Sequence, residues 1–208
     1  MTSPVSRIEQ IMRMAPVIPV LVIEDAAHAV AIAQALVAGG LPVLEVTLRT
    51  ASALEVIRAM KQVSGAIVGA GTVLNEHALD DALEAGSEFI VSPGLSDSLA
   101  KAAIAGEVPF LPGIATASDI MRGLDLGLDR FKFFPAEAIG GIPALKAISA
   151  PFAMARFCPT GGITQATAPE WLALDAVLCC GGSWLVSKGP PDVVAIEAAA
   201  RAAVALAK

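Results

Sequence analysis

Hydrophobic and polar residues follow two alternating patterns along this chain. Short runs rich in β-branched and aromatic residues recur, and each is followed by an Ala- and Leu-rich segment with helical spacing. Strands that alternate with helices are typical of a parallel sheet. The pattern predicts eight strands, at residues 17–23, 43–48, 66–70, 88–92, 108–111, 130–134, 155–158 and 176–180.

Eight strand–helix units in 208 residues indicate the α/β class. Within it, they favour a single (β/α)8 TIM barrel over an open doubly wound sheet. Ser3-Pro4 predicts a short N-terminal helix before the first strand, and residues 190–208 fit a final helix. No linker or low-complexity tract divides the sequence. Residues 1–208 are therefore predicted to form one barrel domain.

Composition narrows the classes of partner. The net charge of −6 argues against nucleic-acid binding, which uses basic surfaces. Residues 26–44 carry no formal charge, but Gly39-Gly40 and Pro42 split them into a helix and a strand, so no membrane span is predicted. The first ten residues lack the apolar core of a signal peptide, and a cytoplasmic location is expected.

Three cysteines, Cys158, Cys179 and Cys180, lie in apolar runs. Their odd number and spacing favour buried free thiols over a metal site. Neither a metal nor any other cofactor is predicted.

The second predicted strand has one polar face. Side chains alternate across a strand, so Glu45, Thr47 and Arg49 share a face opposite Leu44 and Val46. An apolar face packed on helices would turn Glu45 and Arg49 into the barrel. Charges are rarely buried without a partner or a task, which leaves either a functional site or a structural Glu45–Arg49 pair.

The sixth predicted strand carries a lysine among phenylalanines. If Phe131 and Phe133 pack outward, Lys132 points into the barrel. Burial disfavours the ammonium form, and a free amine is a nucleophile for carbonyl groups. The alternative is a lysine paired with an interior carboxylate for structure alone.

Glycine pairs follow the last two predicted strands, at Gly161-Gly162 and Gly181-Gly182. Barrels often bind phosphate in the loops after strands seven and eight, where glycine permits close approach of the backbone. Thr160 and Ser183 would add hydroxyl donors. Two further strand ends carry Thr72, a candidate hydroxyl for a substrate carboxylate, and Pro93, a residue expected to shape a turn.

Taken together, these motifs resemble 2-keto-3-deoxy-6-phosphogluconate (KDPG) aldolase and 4-hydroxy-2-oxoglutarate (KHG) aldolase, which form one family. The resemblance runs in order along nearly the whole chain, through APVIPV (15–20), VLEVTLRT (43–50), VGAGTV (68–73), SPG (92–94), FKFFPAE (131–137), RFCPTGG (156–162) and GGSW (181–184). It implies a metal-independent class I aldolase on a (β/α)8 barrel, usually a homotrimer. The implied reaction cleaves the sugar acid phosphate to pyruvate and glyceraldehyde 3-phosphate in the Entner–Doudoroff pathway.

The resemblance also implies roles for individual residues. Lys132 is similar to the Schiff-base lysine, and Glu45 to the acid/base. The groups that hold the pyruvyl unit would be Arg49, Thr72, Pro93 and Phe134, and the phosphate site would comprise Thr160, Gly161, Gly162, Gly182 and Ser183. One departure is Ile139, where the family commonly has Asn, and it bears on loop contacts and selectivity.

Several alternatives stay open at this stage. The substrate could be 4-hydroxy-2-oxoglutarate, which lacks a phosphate, or the galactonate epimer of the sugar acid phosphate. From a different class, a catalytically silent phosphometabolite-binding barrel would need neither Lys132 nor Glu45. An isomerase on a related barrel would need acid/base groups but no imine.

Overall fold

The computed structural model describes residues 6–206, in which strands alternate with helices. The strands are Val17–Leu21 (β1), Val43–Thr47 (β2), Ile67–Gly71 (β3), Ile90–Val91 (β4), Phe110–Leu111 (β5), Gly113–Ile114 (β6), Arg130–Phe133 (β7), Arg156–Pro159 (β8) and Cys180–Gly182 (β9). The helices are Arg7–Met12 (α1), Ala29–Ala38 (α2), Ala53–Met60 (α3), Glu76–Glu84 (α4), Asp97–Ala105 (α5), Ala117–Asp125 (α6), Gly141–Ser149 (α7), Ala168–Leu172 (α8) and Val193–Val204 (α9), with a 3₁₀ turn at Ala26–His28.

The strands pair in parallel and curl into a half-barrel, an arrangement consistent with a TIM-like fold. One sheet has the order β5-β4-β3-β2-β1-β9, and a second has the order β6-β7-β8. In parallel sheets of this kind the carboxyl ends of the strands lie on one side, so the loops that follow them come together. Among residues 6–206, no helix is long and apolar enough to cross a membrane.

The predicted strands agree with the structure except at two places. After the strand predicted at 108–111 comes Pro112, which has no N–H for the ladder, and then Gly113, which resumes pairing opposite Lys132 as β6. The prediction of a strand at 176–180 was wrong, because Val177 makes only a single bridge and β9 begins at Cys180.

Apolar side chains on the outer surface of the sheets pack against the helices. Leu44 and Val46 of β2 join one cluster with α2 and α3, whereas Phe131 and Phe133 of β7 join a second cluster with α6, α7 and α8. A third cluster lies on the opposite face of the strands from the helix-facing residues. It contains Ile8, Ile11 and Met12 of α1 with side chains of β1, β2, β4, β5 and β8.

Helix α1 is fixed to β7 by a buried ion pair. The Glu9 carboxylate accepts hydrogen bonds from Arg13 Nε at 2.7 Å and from Arg130 Nε at 2.8 Å, and Arg130 Nη2 also donates to it. Ser6 caps the helix by accepting from Glu9 N. The start predicted at Ser3-Pro4 lies outside the described residues.

The Glu9 ion pair predicts a pH-dependent stability. Burial raises the pKa of Glu9, but the hydrogen bonds from Arg130 and Arg13 outweigh it and hold the pKa below its usual value of 4.5. The stabilisation is therefore complete above pH 4.5 and is lost as the pH falls through the lowered pKa. Glu9→Gln should cost about 1.5–3 kcal/mol at neutral pH, the value of hydrogen bonds to charged groups, and should flatten this acid dependence.

Chemical denaturation at a series of pH values checks this prediction. Glu197→Gln is the matched control, since Glu197 pairs with Arg201 on the exposed surface of α9, where ion pairs contribute little. Equal unfolding free energies for Glu9→Gln and the control, with equal pH dependence, would contradict it.

Candidate active site

A buried lysine and a buried glutamate meet across the strands. Lys132 Nζ of β7 lies 3.0 Å from Glu45 Oε1 of β2, and the two side chains are 7% and 4% exposed. Since burying a charge is costly, this pair requires a compensating partner or a chemical task. At 3.0 Å a proton can move directly between the amine and the carboxylate.

Strand alternation explains why both groups point inward. Phe131 and Phe133 lie on the outer, helix-facing side of β7, so Lys132 between them takes the opposite side. Leu44 and Val46 place Glu45 inward on β2 in the same way. The predicted orientation of Lys132 and Glu45 is confirmed. The alternative of a structural Glu45–Arg49 pair was wrong, because Glu45 pairs with Lys132 and Arg49 donates to Thr72.

Gly71 of β3 makes room for the Glu45 side chain. A Cβ atom built on Gly71 would lie closer than 3.0 Å to Oε1, Cδ and Cγ of Glu45. Gly69 lies two residues earlier on the same face, and the Phe89 ring fills the space where its side chain would be. Sequence reasoning missed this role, although two glycines at alternate positions of one strand signal close approach by side chains.

Arg49 and Thr72 meet at the mouth of the site. Arg49 follows the end of β2 and is exposed, and its Nε donates to Thr72 Oγ1 at 3.4 Å. Thr72 follows β3 with a φ of 61°, a left-handed conformation that is uncommon for threonine. The structure therefore brings these two predicted residues together, and Thr72 directly follows Gly71, which packs on Glu45.

Phe134 contacts the amine, and Pro93 packs on Gly113, which pairs with Lys132. The Phe134 ring centroid lies 5.3 Å from Lys132 Nζ, within the range of a cation–π contact. Pro93 follows β4 and is half-buried, and its carbonyl oxygen occupies the space that a side chain at position 113 would need. Ile139, in the turn after β7, is half-buried against the cluster that contains Phe133.

The first glycine pair forms the predicted turn, but the second does not. Gly161 and Gly162 have φ values of 104° and 80° after the buried Thr160. Gly181 and Gly182, predicted as a turn, lie in β9. Their missing side chains leave space for Thr160, which bridges to Gly181, and for the Trp184 ring, which covers Gly182.

Ser183 follows β9 directly and is exposed, beside the strand in which Gly182 is buried. The bridge from Thr160 to Gly181 draws the end of β9 next to the turn after β8. All five predicted phosphate-site residues therefore lie on two adjacent chain segments.

The cysteines are buried and free, as predicted. A hydrogen bond with Cys158, together with burial, raises the pKa of Cys179, and burial raises that of Cys180. Thiols with raised pKa values stay protonated at neutral pH and are poor nucleophiles. Among the described residues, no group of His, Cys, Asp and Glu side chains could hold a metal ion.

A further contact was not predicted. The indole Nε1 of Trp171 in α8 donates to Glu137 Oε1 at 2.9 Å, which ties the turn after β7 to a helix that follows β8. The available signal was a carboxylate at the end of the FKFFPAE run, in the turn that follows a strand.

This chain is similar in sequence and in structure to known aldolases. Residues 8–199 match the family model described as KDPG and KHG aldolase. The 2-dehydro-3-deoxy-phosphogluconate aldolase of Zymomonas mobilis is 63% identical over 198 residues, which is 95% of each chain. A structure of the Z. mobilis KDPG aldolase with 3-phosphoglycerate superposes with a TM-score of 0.97 at 60% identity, covering 99% of this chain and 98% of that one.

A structure of a less similar relative contains a covalent reaction intermediate. The KDPG aldolase of Legionella pneumophila, with pyruvate captured as a covalent carbinolamine, is 40% identical and has a TM-score of 0.90. It covers 98% of this chain and 99% of its own. The match over residues 8–199 and the high identity over nearly the full length of these relatives show that this chain belongs to the KDPG and KHG aldolase family.

Proposed function

We propose that this protein is a class I aldolase that cleaves 2-dehydro-3-deoxy-6-phosphogluconate to pyruvate and D-glyceraldehyde 3-phosphate. The observation that carries the proposal is the buried Lys132–Glu45 pair, with 3.0 Å between Nζ and Oε1. A primary amine in contact with a carboxylate provides both a nucleophile for a ketone and a base for the proton transfers. The names of the Z. mobilis and L. pneumophila relatives support the same reaction.

In the first half of the reaction Lys132 is the nucleophile. Its free amine adds to the C2 ketone to give a carbinolamine, and loss of water leaves a protonated imine. Glu45 removes the proton of the C4 hydroxyl, directly or through a water. The C3–C4 bond then breaks, its electron pair enters the iminium system, and glyceraldehyde 3-phosphate leaves.

In the second half the product is released from the enzyme. The enamine of pyruvate that remains on Lys132 takes a proton at C3 from the Glu45 carboxyl group. Water then hydrolyses the imine, which frees pyruvate and restores the amine. Each proton that Glu45 removes is returned, so the cycle needs no other acid or base.

The pyruvyl unit is held at the mouth of the site. Arg49 pairs with the substrate carboxylate as a planar fork, and Thr72 donates its hydroxyl to the same group. Their contact of 3.4 Å supports a shared ligand. Pro93 and Phe134 line the apolar side, and the ketone is thereby fixed near Lys132 Nζ.

The phosphate lies at the turn after β8 and at the carboxyl end of β9. Backbone N–H groups of Gly161, Gly162 and Gly182, with the hydroxyls of Thr160 and Ser183, receive its oxygens. The positive φ values of Gly161 and Gly162 support a tight turn whose backbone N–H groups can face an anion. Binding the phosphate away from the breaking bond supplies energy that positions the reacting carbons.

A second substrate is favoured by the family model, whose description includes KHG as well as KDPG. We include 4-hydroxy-2-oxoglutarate as a slower substrate, since it shares the pyruvyl unit but cannot use the phosphate site. The ratio of kcat/KM for the two substrates measures what the phosphate contributes.

We further propose that the chain forms one domain, a closed barrel of eight strands. We also propose that it assembles as a homotrimer in the cytoplasm. Closure is supported by the single residue between β5 and β6 and by the bridges that link Phe157 to Val177 and Thr160 to Gly181. Exposed apolar residues such as Leu74 and Met121 support burial in a subunit interface. Three free cysteines suit a reducing compartment.

The test of the function is reductive trapping. The protein is incubated with pyruvate and sodium borohydride, and its intact and peptide masses are measured. We expect a reduced pyruvyl adduct on the peptide that contains Lys132, together with pyruvate release from the sugar acid phosphate. A folded protein with no adduct would refute the imine mechanism and leave phosphate binding as the function.

A further inference from the structure

The turns after β7 and β8 are joined along their backbones. Ala136 N donates to Thr160 O at 2.8 Å, and Glu137 N donates to Gly161 O at 3.1 Å. These bonds continue the pairing of β7 with β8 beyond the ends of both strands. The residues after Lys132 therefore determine where the Gly161-Gly162 turn lies.

The side chain of Glu137 supports the same turn. A Cβ atom on Gly162 would lie 2.7 Å from Cβ and 2.8 Å from Cγ of Glu137, so the aliphatic part of this side chain fills the space beside the glycine. Gly162 adopts a φ of 80°, which side chains rarely allow. Glu137 thus contacts the turn through its backbone and its side chain.

Trp171 fixes the other end of Glu137. Trp171 is 1% exposed, its ring centroid lies 6.2 Å from that of Phe133, and its Nε1 donates to Glu137 Oε1 at 2.9 Å. A buried indole has little freedom to move, so this hydrogen bond holds the carboxylate in one place. Removing either partner would release Glu137 from α8.

The charge of Glu137 is unfavourable for binding an anion in the adjacent turn. A carboxylate beside a phosphate repels it, which argues against direct contact with the substrate. The hydrogen bond from Trp171 needs only an acceptor oxygen, which an amide also provides. The position, and not the charge, is therefore the useful property of this residue.

We propose that Glu137 is a positioning residue, which, anchored by Trp171, holds the Gly161-Gly162 turn in the shape that receives the substrate's phosphate. This inference rests on the phosphate site of the proposed function. It assigns to the Glu137–Trp171 bond a part of the preference for phosphorylated over unphosphorylated substrates. The proton exchange of pyruvate takes place at Lys132 and does not depend on the Glu137–Trp171 hydrogen bond.

The test compares Glu137→Ala with Glu137→Gln and Trp171→Phe. For each variant we would measure KM and kcat with the sugar acid phosphate, and exchange of the methyl protons of pyruvate in D2O, which requires no phosphate. Glu137→Ala and Trp171→Phe should each raise KM about tenfold, the factor expected for one hydrogen bond, with exchange within about twofold of wild type. Glu137→Gln should retain a nearly normal KM.

The double variant Glu137→Ala/Trp171→Phe should show the same KM as either single variant, because both changes remove one interaction. Three outcomes would overturn the inference: an unchanged KM in Glu137→Ala, an equal loss of pyruvate exchange, or a defect in Glu137→Gln as large as in Glu137→Ala. If Glu137→Ala fails to fold, Glu137→Gln and Trp171→Phe still decide. A wild-type enzyme with no preference for phosphorylated substrate would refute the phosphate site itself, before any variant is made.

Discussion

Replacing Lys132 by alanine is expected to abolish aldol cleavage while the protein stays folded. Without the amine no imine forms, and the electrons of the C3–C4 bond have no acceptor. Loss of an essential covalent nucleophile typically lowers kcat by at least about 10³-fold. Turnover is measured by coupling pyruvate release to lactate dehydrogenase, and borohydride trapping should give no adduct.

The Lys132 variant needs a control for folding, because removing one member of a buried pair leaves Glu45 without its partner. Lys132→Met, which fills more of the space, should be equally inactive, and circular dichroism should match wild type for at least one of the two. Lys61→Ala is the matched control, since Lys61 forms a partly exposed pair with Glu88 and should keep full activity. Appreciable turnover in folded Lys132→Ala would exclude the imine mechanism.

The chemical centre of this protein was predictable because strand alternation is a strong constraint. Charged residues between outward-facing apolar ones, at Glu45 and Lys132, have one direction left to point. Their partnership was not predictable, because it depends on how β2 and β7 face one another across the interior. From the sequence, Arg49 was one alternative partner for Glu45, and an interior carboxylate without a residue number was one for Lys132; the structure joins Glu45 and Lys132 to each other.

Glycine explains the main error in the predicted fold. Gly181-Gly182 has the composition of a turn, yet it forms β9, because Thr160 and Trp184 occupy the space where its side chains would be. Long-range packing of this kind overrides local propensity and leaves no local signal. Gly71 beside Glu45 and the bond between Glu137 and Trp171 do leave local signals, the alternate glycines of β3 and the carboxylate of the FKFFPAE run, but neither signal names the partner side chain.

Glu45→Gln is expected to separate imine formation from proton transfer. The amide can still accept a hydrogen bond from Lys132 Nζ, so pyruvate should still be trapped on the lysine by borohydride. It cannot serve as a base, and exchange of the pyruvate methyl protons in D2O should fall about 10²–10⁴-fold, the usual contribution of a general base. Normal exchange in this variant would assign the proton transfer to another group.

A second variant, Gly71→Ala, tests the position of the Glu45 carboxylate without changing Glu45 itself. In Gly71→Ala, the added methyl group would lie closer than 3.0 Å to Glu45 Oε1, so the carboxylate must shift while its chemistry is unchanged. Exchange should fall in this variant also, whereas Gly94→Ala, where a Cβ would meet nothing within 4 Å, should behave as wild type. If proton exchange were lost in Glu45→Gln but kept in Gly71→Ala, Glu45 would still be the base, but its exact position would matter little. Loss in both, with the lysine still trapped by pyruvate, would mean that the reaction depends on where Glu45 is held as well as on its charge.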